Sequence, residues 1–373
     1  MDPYGPIARR FPLVARSRPG CAPIGARVGE LCALADTARR EDDLAAASAV
    51  WNQAALLASD LGLPELAREW CHRHIRVYLP ACPLNARMAR HALEPLVNLA
   101  RLYIRAGEGD QALRLLSALF AAVTSGTDTT IDGLSVPAAT LTETADDHQE
   151  LRQWLWTVLL RDGTRALTSA CRWQDALAHL ERNKGIGSRM FDGRQAAIIA
   201  RATTGEADDA LAMLADTAPG DPWENAVTAC LTLLCRRDSD KPSGRDEIVM
   251  LDRYQQLDLP PGFAVFHTRL GLTVIDAIGG VEKARGLQVA ADLIQRVATV
   301  GDGYAAREVL AHDGCAATLT AEQARDLTGV LTASALGRQE LPAALGAQLS
   351  VALSTSEAVL SRGLAARSVN PAV

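Results

Sequence analysis

Residues 92–123, ALEPLVNLARLYIRAGEGDQALRLLSALFAAV, constrain the fold of this chain more than any other stretch. Leu96, Leu99, Ala100 and Tyr103 fall at i, i+3, i+4 and i+7, and after a Gly-Glu-Gly-Asp turn Ala112, Leu115, Leu116 and Leu119 repeat the spacing. Each run is an apolar stripe along one helix. Two helices joined by so short a turn pack antiparallel, and neither buries its stripe alone. The stretch is a helical hairpin that needs neighbours of its own kind.

The helical period continues through most of the chain. Residues 1–25, rich in Pro, Gly and Arg, read as an irregular arm. Helices are predicted over roughly 26–40, 42–60 and 65–78, then beyond the hairpin over 148–170, 173–183, 193–204, 207–216 and 222–236. Asp221, Pro222 and Glu224 have the order of N-cap, N1 and N3. A polar break at 237–244 precedes helices over roughly 245–256, 263–278, 281–299, 302–311, 321–336 and 341–365, with Thr320 and Gln323 as a second capping box. Residues 367–373 read as a tail.

One segment interrupts the pattern. Residues 124–150, TSGTDTTIDGLSVPAATLTETADDHQE, show neither helical period nor strand alternation and read as an inserted loop. Ile131, Leu134, Val136, Pro137 and Leu141 give it apolar surface for docking, and Asp132-Gly133 signals a tight turn. The expectation is an ordered lid that brings Asp128, Asp132 and Asp147 near Arg101, Arg105, Arg161 or Arg165.

A small residue near the start of the second helix of a hairpin recurs at Ala67, Ala112, Ala176, Ala210 and Ala284, at intervals of 45, 64, 34 and 74 residues. The turns Gly107-Glu108-Gly109-Asp110-Gln111-Ala112 and Gly205-Glu206-Ala207-Asp208-Asp209-Ala210 agree closely. In these features the chain resembles the tetratricopeptide family, whose unit is about 34 residues. The resemblance implies an all-α fold, a right-handed α-solenoid of divergent hairpins. Its repeats would cover 26–236, with the insertion at 124–150, and resume over 245–366.

Composition narrows the function. With 38 basic and 44 acidic residues and a net charge of −6, the chain lacks the positive excess of a general nucleic-acid binder. Lys184, Lys241 and Lys283 are its lysines, so arginine supplies nearly all the positive charge. Residues near position 1 show no apolar core of a secretory signal, and no apolar run approaches the roughly 18 residues that span a bilayer, so a cytoplasmic location away from membranes is expected. Eight cysteines without short paired spacings argue for reduced thiols rather than disulfides or a zinc ribbon.

Candidate chemistry is sparse. Asp146-Asp147-His148-Gln149-Glu150 matches a DDxxE magnesium motif, but acidic residues also suit a helix N-terminus. Cys71 and His74 share a helical face with the spacing of metal ligands, near His72, Cys82 and His91, yet Cys71 and His74 occupy packing positions. The run from Lys184 to Arg189 is glycine-rich but follows a helix and lacks a GK[ST] ending. HExxH, GxSxG and paired CxxC motifs are absent. No catalytic residue, metal or cofactor is expected.

The most informative polar pattern is Glu94, Asn98, Arg101 and Arg105, at i, i+4, i+7 and i+11 and away from the apolar stripe. The resemblance implies that such first-helix positions line a concave face and clamp peptide carboxylates, with Asn52, Arg161 and Arg165 at similar places. The ligand-binding set is Asn52, Asn98, Arg101, Arg105, Asp132, Asp147, His148, Arg161 and Arg165. It would take a peptide, a protein partner or a small anionic ligand. The competing reading is a helical-repeat enzyme, with a site between the 124–150 loop and the arginines.

Overall fold

The computed structural model describes residues 1–239 and 243–369, and the chain is all-α. In order the helices are α1 (Pro6–Arg10), α2 (Ile24–Glu41), α3 (Leu44–Asp60), α4 (Pro64–Tyr78), α5 (Ala86–Arg105) and α6 (Gly109–Ser125). Then come α7 (Ala145–Ser169), α8 (Trp173–Arg182), α9 (Asp192–Thr203), α10 (Ala207–Ala215), α11 (Pro222–Asp238) and α12 (Gly244–Gln255). The last six are α13 (Ala264–Ala277), α14 (Ala284–Val300), α15 (Gly303–Leu310), α16 (Asp313–Thr318), α17 (Ala321–Ser334) and α18 (Ala343–Val369). Residues 240–242 of the polar break and 370–373 of the tail lie outside the described residues.

The chain reverses by a repeated helix ending. At Asp42, Gly62, Gly107, Cys171, Gly205 and Gly301 the backbone enters the left-handed region, with φ of 49, 79, 80, 59, 84 and 66°. After the first five, the next N–H reaches the carbonyl five residues back, Asp43 to Ala38, Leu63 to Ala58, Glu108 to Tyr103, Arg172 to Leu167 and Glu206 to Arg201, at 2.8–3.0 Å. Five residues beyond each of these six turns stands a wholly buried alanine: Ala47, Ala67, Ala112, Ala176, Ala210 and Ala306. Each is the fourth residue of its helix. A chain that has just doubled back has least room there, so the smallest side chain with good helix propensity fits.

Ala284 departs from this register. Two left-handed glycines, Gly279 and Gly280, lengthen the turn so that α14 begins at Ala284, which is exposed. Gly286 makes the close approach instead, since a Cβ there would lie 2.1 Å from the Gly280 carbonyl oxygen.

The residues form two compact units. One comprises Ile24–Ala166 with the chain from Ala335 onward. Its core holds Trp51, Leu57, Leu93, Leu96, Leu99 and Leu119, and Leu349, Leu353 and Leu360 of α18 complete it against α2, α3 and α4. By length and composition alone Ala343–Arg367 of α18 is long and apolar enough to cross a membrane, contrary to the expectation that no apolar run is. The other unit comprises Met1–Pro23 with Leu167–Ser334. It buries Trp173, Ile198, Leu231, Leu270, Ile275 and Leu293.

Two irregular segments are more structured than their sequences suggest. Within 1–25, residues Pro6–Arg10 are helical and Phe11–Pro23 run without regular structure. Within 124–150, Thr129–Ile131 (β1) and Leu134–Val136 (β2) pair antiparallel, with Ile131 opposite Leu134. Asp132 and Gly133, at φ 51 and 78°, form the two-residue turn that suits the twist of a hairpin. Three-residue strands are too short to show alternation. Ile131, Leu134, Val136 and Leu141 are buried, as expected for an ordered segment.

Candidate functional site

The polar stripe of α5 is not a solvated face. Glu94, Asn98 and Arg101 share one polar strip of an amphipathic α5, and they are half-buried and bond in a chain. Arg101 Nη1 donates to Asn98 Oδ1 at 2.8 Å, Asn98 Nδ2 to Asn52 Oδ1 on α3 at 2.9 Å, and Asn52 Nδ2 to Glu94 Oε2 at 3.0 Å. The ladder therefore runs from a guanidinium to a carboxylate, and each amide dipole is aligned by the charges at its ends.

At the cationic end Arg101 donates to Asp162 Oδ2 of α7 from Nε at 3.3 Å and Nη2 at 3.1 Å, and Arg161 Nη2 reaches the same oxygen at 2.8 Å. Burial acts to raise the Asp162 pKa, but the two guanidiniums overcome it and hold the carboxyl below the usual range. Arg105 turns elsewhere. Its Nη1 donates to Ser59 Oγ at 2.9 Å and Asp60 Oδ1 at 2.8 Å, and the second Asp60 oxygen accepts from Arg27 Nη2 at 2.7 Å. Arg165 lies exposed on α7.

The 124–150 segment makes a separate cluster. Asp132, at the hairpin tip, has a side chain only 6% exposed. It accepts from Arg68 on α4 and from Tyr103 Oη at 2.9 Å, while His72 Nε2 lies 2.7 Å from its Oδ2. Arg68 also sits 5.8 Å from the Tyr103 ring centroid. Burial and the neighbouring Asp132 raise the Tyr103 pKa. Here the expectation needs correction. The lid carboxylate does meet an arginine, but Arg68, not Arg101, Arg105, Arg161 or Arg165, because the short hairpin seats its tip on α4 and the start of the α5 C-terminal turn.

Asp147 and Asp128 are structural. Asp147 Oδ1 accepts from the Ala86 N–H at 2.8 Å, which completes the first turn of α5, and its Oδ2 accepts from Thr144 Oγ1 at 2.6 Å. The Thr144 bond, assisted by the Ala86 N–H, lowers the Asp147 pKa against the opposing effect of burial. Asp128 Oδ1 accepts from Ala139 N–H at 3.0 Å. His148 is half-exposed on the first turn of α7. The DDxxE motif therefore belongs to helix starts.

The other candidate residues lie in the packing. His74 is buried, stacks on Trp51 with centroids 6.0 Å apart, and meets Ser48 Oγ at 3.2 Å. Burial, with His91 nearby, lowers its pKa to about 3, and burial raises the Cys71 thiol to about 12. Among the described residues no group of three or more His, Cys, Asp or Glu could share an ion. Lys184, at φ 52°, begins a helix-ending turn in which Gly185 N–H reaches the Leu180 carbonyl at 2.8 Å.

Asn52, Asn98 and Arg101 come together as the sequence suggests, whereas Asp162, Asp60 and Arg68 were not among the candidates and His72, a candidate metal neighbour, instead meets Asp132. Arg68 and His72 stand at i and i+4 on α4, a legible pair, but nothing local marks their partner 60 or more residues away. Comparison with known protein families, curated proteins and solved structures finds no match to the chain.

Proposed function

We propose that the chain is a tetratricopeptide-like binding or scaffold protein, a right-handed α-solenoid of divergent hairpins, which takes a peptide segment of a protein partner on the face formed by α3, α5 and α7. The ladder Arg101–Asn98–Asn52–Glu94 carries this reading. A carboxamide presents a donor and an acceptor side by side, as a peptide group does. Side chains satisfying one another in this way can exchange those bonds for a peptide backbone, and the charged ends give the bound segment a direction. A small anion is the weaker candidate, because Arg101 and Arg161 already hold Asp162 and Arg105 holds Asp60.

Panning a displayed random-peptide library against the full chain tests the reading. Sequences should be enriched whose binding falls at least tenfold, about 1.4 kcal/mol, on Asn98→Leu or Arg101→Ala while the fold is kept. Enrichment indifferent to both substitutions would place binding elsewhere, and a library that yields nothing would count against a peptide ligand.

A further inference from the structure

Residues 1–23 are held by their unit in a manner unlike any of its helices. From Phe11 to Pro23 the segment has no regular structure, and residues 16–20 are exposed. It touches the unit at separated points, through backbone and side chains alike. Gln195, wholly buried on α9, donates from Nε2 to the Leu13 carbonyl and accepts from the Leu13 N–H with Oε1, both at 2.7 Å. Trp173 Nε1 donates to the Pro3 carbonyl at 3.1 Å. Asp302 Oδ2 accepts from the Cys21 N–H at 2.7 Å, and the Gly303 N–H donates to the Cys21 carbonyl at 2.9 Å.

Side chains supply the rest. Ala8, Phe11 and Leu13 are buried among the helices. Arg10 Nη1 reaches Asp276 Oδ2 at 2.5 Å, where His312 Nε2 also meets Oδ1 at 3.0 Å, and Arg16 pairs with Asp192. Arg18 lies over the Tyr304 ring at 5.2 Å. Carboxylates thus face Arg10 and Arg16, and a buried carboxamide and indole face the peptide groups of Leu13 and Pro3. That is recognition of an extended basic and apolar segment, with the Leu13 backbone held by Gln195 and the Arg10 and Arg16 side chains by carboxylates.

We propose that this face is a peptide groove. It takes an extended segment of a partner protein carrying arginine, an aromatic residue, proline and leucine in succession, with a second arginine three residues on, and the chain's own Arg10–Arg16 fills it in cis. Emptying the groove takes both Leu13 partners from the Gln195 amide and leaves its Nε2 the Met190 carbonyl at 2.9 Å, so a competitor that restores both bonds is favoured over an empty groove. Asp192 and Asp276 favour basic competitors.

The test uses the full chain and a labelled synthetic peptide of residues 1–23. A chain carrying Arg10→Ala and Arg16→Ala has a weakened cis segment and should bind the peptide at least about tenfold more tightly than the unsubstituted chain. Adding Gln195→Leu should abolish that binding, and a peptide of scrambled order should not bind. If the substituted chain melts cooperatively yet takes up no more peptide than the original, residues 1–23 are a fixed part of the core and the proposal fails. Native-state hydrogen exchange on the unsubstituted chain decides independently of any variant. The Leu13 amide should exchange through a smaller opening than amides of α9 and α13, and equal protection would overturn the idea.

Discussion

Asn98 Nδ2 donates to Asn52 Oδ1 at 2.9 Å, and this bond joins the guanidinium end of the ladder to its carboxylate end. Cutting it strands a half-buried donor and acceptor. Asn98→Ala should cost about 1–3 kcal/mol in urea unfolding. In a double-mutant cycle with Asn52→Ala the two effects should be non-additive by more than about 0.5 kcal/mol. Additive effects would mean the ladder is only a set of local pairs.

The Asp162 carboxyl is held below its usual range in the fold, so the sign of its pH dependence follows. An unfolded chain takes up the proton near pH 3.9, about the free aspartate value, whereas the folded chain resists until lower pH. Its contribution is therefore complete above about pH 4 and is lost as pH falls through the folded value. Asp162→Asn should lower stability at pH 7, where Arg101 and Arg161 lose their counter-charge, and should flatten the acid limb of the stability profile.

His74 and His267 titrate with the same sign over a higher range. Burial lowers them from 6.5 to about 3 and about 4, so the fold keeps both neutral while the unfolded chain protonates below 6.5. Stability from this source is complete above pH 6.5 and drains away as pH falls toward 4 and then 3. Replacing His74 by Gln should reduce the slope between pH 6 and 4.5 by up to roughly 1.4 kcal/mol per pH unit, as read from urea midpoints. An unchanged slope would show that the ring is reached by water.

Asp132 holds the hairpin tip against Arg68, His72 and Tyr103. Asp132→Ala leaves three polar groups without their shared acceptor, and limited proteolysis should then cut within 124–150 much faster while the flanking helices resist. Rapid cutting of the unsubstituted chain at the same place would show that the tip is not anchored.

Ala112 is fully buried as the fourth residue of α6, immediately after the Gly107 turn. Ala112→Leu should cost about 1–3 kcal/mol by overpacking, and Ala112→Ser much less. The two should separate clearly in thermal melts. Equal tolerance would mean that the alanine register does not mark a close helix approach.

The sequence alone determined the local elements. Periodicity located the α5–α6 hairpin and placed most other helices within a few residues, because burying one face of a helix imposes a short-range pattern on the residues themselves. Caps were legible for the same reason. Asp221 with Glu224, and Thr320 with Gln323, form both bonds of their capping boxes. Turns followed five residues later by alanine were readable at Ala67, Ala112, Ala176 and Ala210, but not at Ala47 or Ala306.

Tertiary structure decided which elements meet, and so decided the sites. No local rule pairs Arg101 with Asp162, seats Asp132 on Arg68 and His72, lays Leu13 on Gln195 across 182 residues, or returns α18 to α2. A charged residue on a helix reads identically in sequence whether it faces water or a distant counter-charge. Only the packed chain settles which, since the cost of burying a charge is met by a partner whose position along the sequence is arbitrary.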